Sequence, residues 1–296
     1  MRRKPLERDS KEYWNAQIAN SRAACTFFPS NAEEGSVAVG ALNASPEADY
    51  VLKSGGHNPN PGFSSVGKGV KIAFQPNSQF VNVASDAETV EIGAGCRWED
   101  VYRALEPYGK AVAGGRLRNV GVVGLTLGGG LSYLSAQYGF TCDNVVNFEC
   151  VLDNGTITNA NTEENPELFF ALRGGGNQFA VVTKITMKTF DSGVNGLMGW
   201  CENKDPKAAI IPTFNFVSAT VLNIPAILVF IFYDGPKPPP GIFDDFDAIH
   251  SLTDSTKTRT YESMSQELLA GDFEGLRFRI GFNSFPSARG HYDEVS

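Results

Sequence analysis

The segment Ser54–Gly67, S-G-G-H-N-P-N-P-G-F-S-S-V-G, constrains this chain more than any other. It follows the short apolar run Tyr50-Val51-Leu52-Lys53, so it reads as a loop leaving the end of a strand. Gly55 and Gly56 strip side chains from its first turn, Pro59 and Pro61 stiffen its return, and His57 stands between them, one of 3 histidines in the chain. A second glycine-rich run, Gly114–Gly130, follows later in the sequence. Two backbone-exposing loops on one frame point to a long phosphate-bearing ligand, because glycine lets main-chain N–H groups approach a pyrophosphate that a Cβ would hold away.

The remaining composition narrows the partners. A net charge of −8 argues against nucleic acid, whose phosphates call for a basic stripe, and the cluster Arg2-Arg3-Lys4 reads as a solvated terminus. The longest apolar stretch, Phe216–Tyr233, contains Ser218, Thr220, Asn223 and Pro225, so two core strands are expected there and no membrane partner. No hydrophobic stretch follows Met1, so no secretory signal is expected, and the compartment stays open. Cys25, Cys96, Cys142, Cys150 and Cys201 are scattered without a C-x-x-C pair, so no metal site is expected.

Several elements announce themselves. Ser30-Asn31-Ala32-Glu33 reads as a capping box opening a helix to about Leu42. The alternations Val70/Ile72/Phe74 and Val90/Ile92 predict half-buried strands, and Trp98, Val101, Tyr102 and Leu105 predict a helix stopped by Pro107 and Gly109. Leu131, Leu134 and Tyr138 share a helical face ended by Gly139. Val146, Phe148, Cys150 and Leu152 alternate up to the hairpin turn Asp153-Asn154-Gly155, and Asn165-Pro166-Glu167 opens a capped helix ending at Gly174-Gly175-Gly176. A strand through Val181, Thr183, Ile185 and Met187 follows. Gly193 and Gly196 then mark a linker, and residues 1–192 and 193–296 are expected to form two domains.

Alone, His57 in a glycine loop is more often a turn residue than a chemical one; its stiff position at a strand's end fits a nucleophile or ligand. Gly62-Phe63-Ser64-Ser65-Val66-Gly67 has one residue too many for the hydrolase G-x-S-x-G. The run from Gly121 to Gly130 departs from the nicotinamide G-x-G-x-x-G, and the hairpin at Asn154-Gly155 does not suit a parallel crossover sheet of that kind.

At these residues the chain resembles the fungal FAD-linked oxidoreductases of the vanillyl-alcohol oxidase and berberine bridge enzyme-like superfamily. The resemblance runs from Tyr13-Trp14 to Phe190 and is carried by Cys25-Thr26-Phe27-Phe28-Pro29, the Ser54–Ser65 loop, Gly114-Gly115-Arg116, Gly124–Gly130, Tyr138-Gly139, Asp143-Asn144-Val145 and Arg173-Gly174-Gly175-Gly176-Asn177. It implies an α+β fold: an FAD-binding domain of two α+β subdomains, followed by part of an α+β substrate domain. It implies FAD as cofactor, covalently attached through His57, and a neutral imidazole is a competent nucleophile for that bond. Lys53, Ser54, Gly55, Gly56 and Asn58 would cradle the pyrophosphate, and Gly62, Gly115, Gly121, Val122, Gly124, Gly128, Gly129 and Val181 would line the rest.

Leu117 stands where similar proteins with a second, cysteinyl link carry cysteine, so attachment through His57 alone is expected. Val123 and Ala180 replace usual glycines, and Ala73 stands where aspartate is common. The resemblance implies hydride transfer from a small organic substrate, such as a secondary metabolite, to flavin N5, with molecular oxygen as acceptor. No catalytic base is identified, His250 and His291 read as surface residues, and the alternative is a catalytically incompetent flavin-binding fragment. In that fragment the apolar strand around Ile227–Phe232 is expected to lack full cover.

Overall fold

The computed structural model describes residues 13–19, 21–45, 47–191, 205–219, 222–244, 251, 254 and 256–267. The boundary expected near 192, Cys201, and His250 and His291 lie outside the described residues. In chain order the elements are β1 (Cys25–Phe27), α1 (Ala32–Asn43), β2 (Tyr50–Lys53), β3 (Val70–Ala73), β4 (Val81–Val83), β5 (Thr89–Gly93), α2 (Trp98–Leu105) and β6 (Lys110–Ala111). They continue with α3 (Val122–Leu127), α4 (Ser135–Tyr138), β7 (Val145–Val151), β8 (Ile157–Ala160), α5 (Pro166–Leu172), β9 (Val181–Lys188), β10 (Phe190–Asp191), β11 (Ala208–Ala219), β12 (Leu222–Tyr233) and α6 (Tyr261–Glu267). A short helix at Ala16–Ala19 precedes them.

Two larger sheets and the short antiparallel pair β6–β10 lie within the first 191 residues. β1, β3 and β2 form a parallel sheet in the order β1-β3-β2, and β4-β5-β9-β7-β8 form an antiparallel sheet. Parallel pairing is confined to the small sheet. This is the α+β architecture expected, with both sheets sharing one core: Ile72 and Phe74 meet Val90, Ile92, Phe148, Ile185 and Met187. Helix α2 adds Trp98, Val101, Tyr102 and Leu105, all buried, at the expected spacing. Burying each such side chain contributes about 1.5–3 kcal/mol. The helix passes into a single 3₁₀ turn carrying Pro107, and Gly109 ends it at φ 62°.

Several expectations shift for local physical reasons. The cap of α1 is Asn31, whose side chain accepts from Glu34 N, while the Glu34 carboxylate reaches back to Ser30 N; the box is displaced by one residue. β3 is buried on both faces, Lys71 and Ala73 included, because it is the central strand of its sheet. In β7 a register shift between Val145 and Asn147 turns Val146 outward, so only Phe148 and Cys150 keep the inward alternation. Asn165 precedes α5 in the left-handed region and sends its amide to Thr158 Oγ1 and Asn159 O instead of capping the helix. Leu131 is exposed, outside the four-residue helix α4, and the glycine run itself contains α3.

β11 and β12 pair antiparallel along their whole length, from Ala208↔Tyr233 to Ala219↔Leu222, and with no other strand among the described residues. The apolar stretch Phe216–Tyr233 thus spans the end of β11 and all of β12, two strands as expected. Along the stretch expected to lack full cover, Val229, Phe230 and Ile231 are half-buried. Phe232 is buried, stacks on Tyr133 with ring centroids 5.2 Å apart, and meets Tyr261 of α6 edge-on. Gln137 Nε2 donates to Asp234 Oδ2 at 2.8 Å beside this aromatic seam.

Candidate cofactor site

The strand β2 delivers the histidine loop. Its last residue, Lys53, is buried with its ammonium over the Tyr13 ring, 4.8 Å from the centroid, and its carbonyl accepts from Phe74 N. Lys53 therefore faces the site with main chain only. Ser54 Oγ donates to Ala94 O at 2.7 Å, fixing the turn to the end of β5. Gly55 then meets Gly121 backbone to backbone: a Cβ on Gly121 would lie 2.5 Å from Gly55 N, and one on Gly55 would overlap Gly121 N. Gly56 turns at φ 70°, and its carbonyl accepts from Trp14 N at 3.2 Å.

His57 stacks on the Trp14 indole, with centroids 4.8 Å apart and planes at 19°. Its Nε2 is buried and has no protein hydrogen-bond partner. Burial first, and the nearby Arg97 charge second, lower its pKa from 6.5 to about 4. The imidazole is therefore neutral at physiological pH. By contrast, burial pushes Cys96 and Cys150 up to about 12, so these thiols are not nucleophiles. The Asn58 side chain is committed to its own loop, where Oδ1 accepts from Asn60 N.

The second glycine run divides into three pieces. Gly115 packs on the Trp98 indole, and its carbonyl accepts a hydrogen bond from the buried Tyr102 hydroxyl. Gly121 precedes α3, where Val122 is buried and Val122 N donates to Cys96 O. Gly124 and Gly128, one helical turn apart, are exposed, and a Cβ on either meets nothing tight. Gly129 turns at φ 95°. The structural demand for glycine is thus real at Gly129 and Gly121, whereas at Gly128 only an approaching ligand would supply one.

The third glycine run ties to the second, since Gly176 N donates to Leu127 O at 2.9 Å. Beyond it, Asn177–Val181 meet Tyr50, Val51, Leu52, Gly62, Phe63 and Val39 around a cavity of about 390 Å³. Gly62 and Val181, far apart in sequence, are brought together there, and Ala180 occupies its wall. The expected residues therefore form two neighbouring groups along β2: the Ser54–His57 turn with Gly121 at its end, and Gly62 with Val181 beside its middle.

Two contributors escaped the sequence reading. Trp14 lies far upstream, and no periodicity signals a stack. Arg97 bridges Gly121 by a backbone β-bridge and donates from Nη2 to Gly55 O at 3.3 Å. Ser64 Oγ, Ser65 Oγ and Arg97 Nε are likewise buried without protein partners. A polar ligand with several acceptors, approached by main-chain N–H groups, fits this set of donors, and FAD is such a ligand.

Comparison with known proteins gives this arrangement a class. Residues 23–161 match the FAD binding domain family model. The chain is 38% identical over 311 residues to an uncharacterized FAD-linked oxidoreductase of Arthroderma benhamiae, covering 97% of this chain and 60% of that protein. Other relatives are named FAD-dependent monooxygenases. The fold is similar to 6-hydroxy-D-nicotine oxidase of Arthrobacter nicotinovorans, with TM-score 0.75 and 21% identity over 90% of this chain and 63% of that one. It is also similar to glucooligosaccharide oxidase of Acremonium strictum, described with a 6-S-cysteinyl, 8α-N1-histidyl FAD (TM-score 0.56, 25% identity, 64% of this chain and 41% of that one). Residues 23–161 thus form an FAD binding domain, the relatives are fungal FAD-linked oxidoreductases and FAD-dependent monooxygenases, and the fold is similar to that of VAO-type and BBE-like flavoproteins. It spans 60% of the length of the Arthroderma relative.

Proposed function

We propose that this chain binds FAD along β2 and both glycine runs, attached covalently through His57 alone, and serves an oxidase or dehydrogenase of a small organic substrate. The observation that carries the reading is the neutral imidazole of His57, buried at Nε2 without a protein partner and oriented by Trp14. A nucleophile must be deprotonated and fixed in direction, and burial does the first while the stack does the second. Bound there, FAD would take a hydride at N5 and pass electrons to molecular oxygen.

The chain's own residues hold and orient. Main-chain groups of Ser54, Gly55, Gly56 and Asn58 would hold the pyrophosphate, and the cavity at Gly62 and Val181, with Phe63 and Phe179 in its lining, would hold another part of the cofactor. Leu117, at the position of the second link in doubly attached relatives, forms none. We place the domain boundary near residue 192, because β9 and β10 close the first unit while β11–β12 pair only with each other among the described residues.

Flavin absorbance of the purified protein at one FAD per chain, with oxygen uptake over a panel of alcohols, phenols and terpenoids, tests the reading. Colourless protein contradicts it. Flavin without uptake on any substrate favours the alternative of binding without turnover.

A further inference from the structure

Arg97 immediately precedes α2, and the helical periodicity gives it no task. The structure sets it where Gly55 of the histidine loop touches Gly121 of the second glycine run. Its backbone bridges Gly121, its Nη2 donates to Gly55 O at 3.3 Å, and its own N–H is taken by Asp100 Oδ2 at 2.9 Å. Its Nε is buried without a partner, and none of the ion pairs found among the described residues engages its guanidinium.

A guanidinium stays charged at every physiological pH and carries five donors in a fixed fork. One donor here goes to a carbonyl and one is buried unused. A buried N–H left without an acceptor costs about 1–3 kcal/mol, and a partly buried cation wants an anion. The nearby lysines differ, because Lys53 and Lys71 both aim their ammonium groups at Tyr13.

We propose that Arg97 is an anion-binding and positioning residue of this site, whose guanidinium serves the phosphates of the cofactor while its bond to Gly55 O keeps the histidine loop seated on Gly121. The proposal rests on the FAD reading above. The same charge reinforces burial in holding His57 neutral, so one side chain supports both the anionic and the nucleophilic part of the site. Arginine suits the double task because its planar fork can hold a carbonyl and a phosphate at once, which a lysine ammonium does with less geometric definition.

The test uses the His57→Ala protein, in which flavin is expected to exchange freely, with and without Arg97→Gln or Arg97→Lys. Dissociation constants are measured for FAD, ADP and riboflavin. Arg97→Gln is expected to weaken FAD and ADP about tenfold or more, the worth of a charge-assisted hydrogen bond, and to weaken riboflavin, which has no phosphate and feels only the loosened loop, much less. Arg97→Lys should fall between, and it carries the comparison if the glutamine variant does not fold. Unchanged ADP affinity, or an equal loss for riboflavin, overturns the phosphate role. Failure of both wild type and His57→Ala to take up any flavin overturns the FAD reading and this inference together.

Discussion

The two glycine-rich segments look alike in sequence, but the fold requires glycine at different shares of their positions. In the histidine loop, Gly55 is required by a backbone contact with Gly121, and Gly56 and Gly62 by left-handed φ angles of 70° and 87°. In the second run, Gly121 answers the same contact, Gly124 inside α3 and Gly128 just after it are exposed where an added methyl meets nothing tight, and Gly129 and Gly130 turn left-handed. Glycine composition therefore marks both segments without saying which glycines build the fold and which leave room for a ligand. Substitution separates the two uses.

The largest effect is expected at the contact itself. Gly55→Ala drives a Cβ into the Gly121 main chain, where no flexible side chain can yield, so a loss of about 4 kcal/mol or more, or insoluble protein, is expected. A thermal melt close to wild type would show that the two runs are not in contact.

Next comes acidity. The His57 pKa is about 4 in the folded chain against 6.5 in the unfolded one, so between these values the unfolded state binds the extra proton. Stability is then full above pH 6.5 and falls as pH drops toward 4, by at most about 3 kcal/mol for a half-buried group. Denaturant titrations at several pH values should show this slope in the flavin-free protein and a flatter one in His57→Ala. Equal slopes would place the imidazole in solvent.

The smallest effects sharpen the contrast within the second run. Gly129→Ala should cost about 1–2 kcal/mol, because its φ of 95° disfavours any Cβ. Gly124→Ala, inside α3 with open space, should stabilise the flavin-free protein by up to about 1 kcal/mol while weakening FAD binding. A Gly124→Ala protein with unchanged FAD affinity would remove that helical face from the cofactor site.

Much of the first 191 residues was legible because local signals and tertiary demands agree there. Trp98–Leu105 shows this, since its apolar spacing, its stop at Pro107 and Gly109 and its buried face coincide. The signal failed where long-range pairing decides. No local rule foretells the register shift that turns Val146 outward, and Asn165 gives its amide to β8 where a cap was expected. In the site, His57 and the glycines were readable from loop chemistry, whereas Trp14 and Arg97 enter only through contacts between distant segments. The contacts of Phe232 are of the same kind, since Tyr133 and Tyr261 reach it from distant parts of the chain.

The central claim is that the histidine loop exists to tether a flavin. The most direct measurement is flavin fluorescence on a denaturing gel after acid precipitation, comparing wild type with His57→Ala. Fluorescence on the wild-type band and none on His57→Ala is the predicted result; a fluorescent His57→Ala band, or a wild type that releases all its flavin, would contradict it.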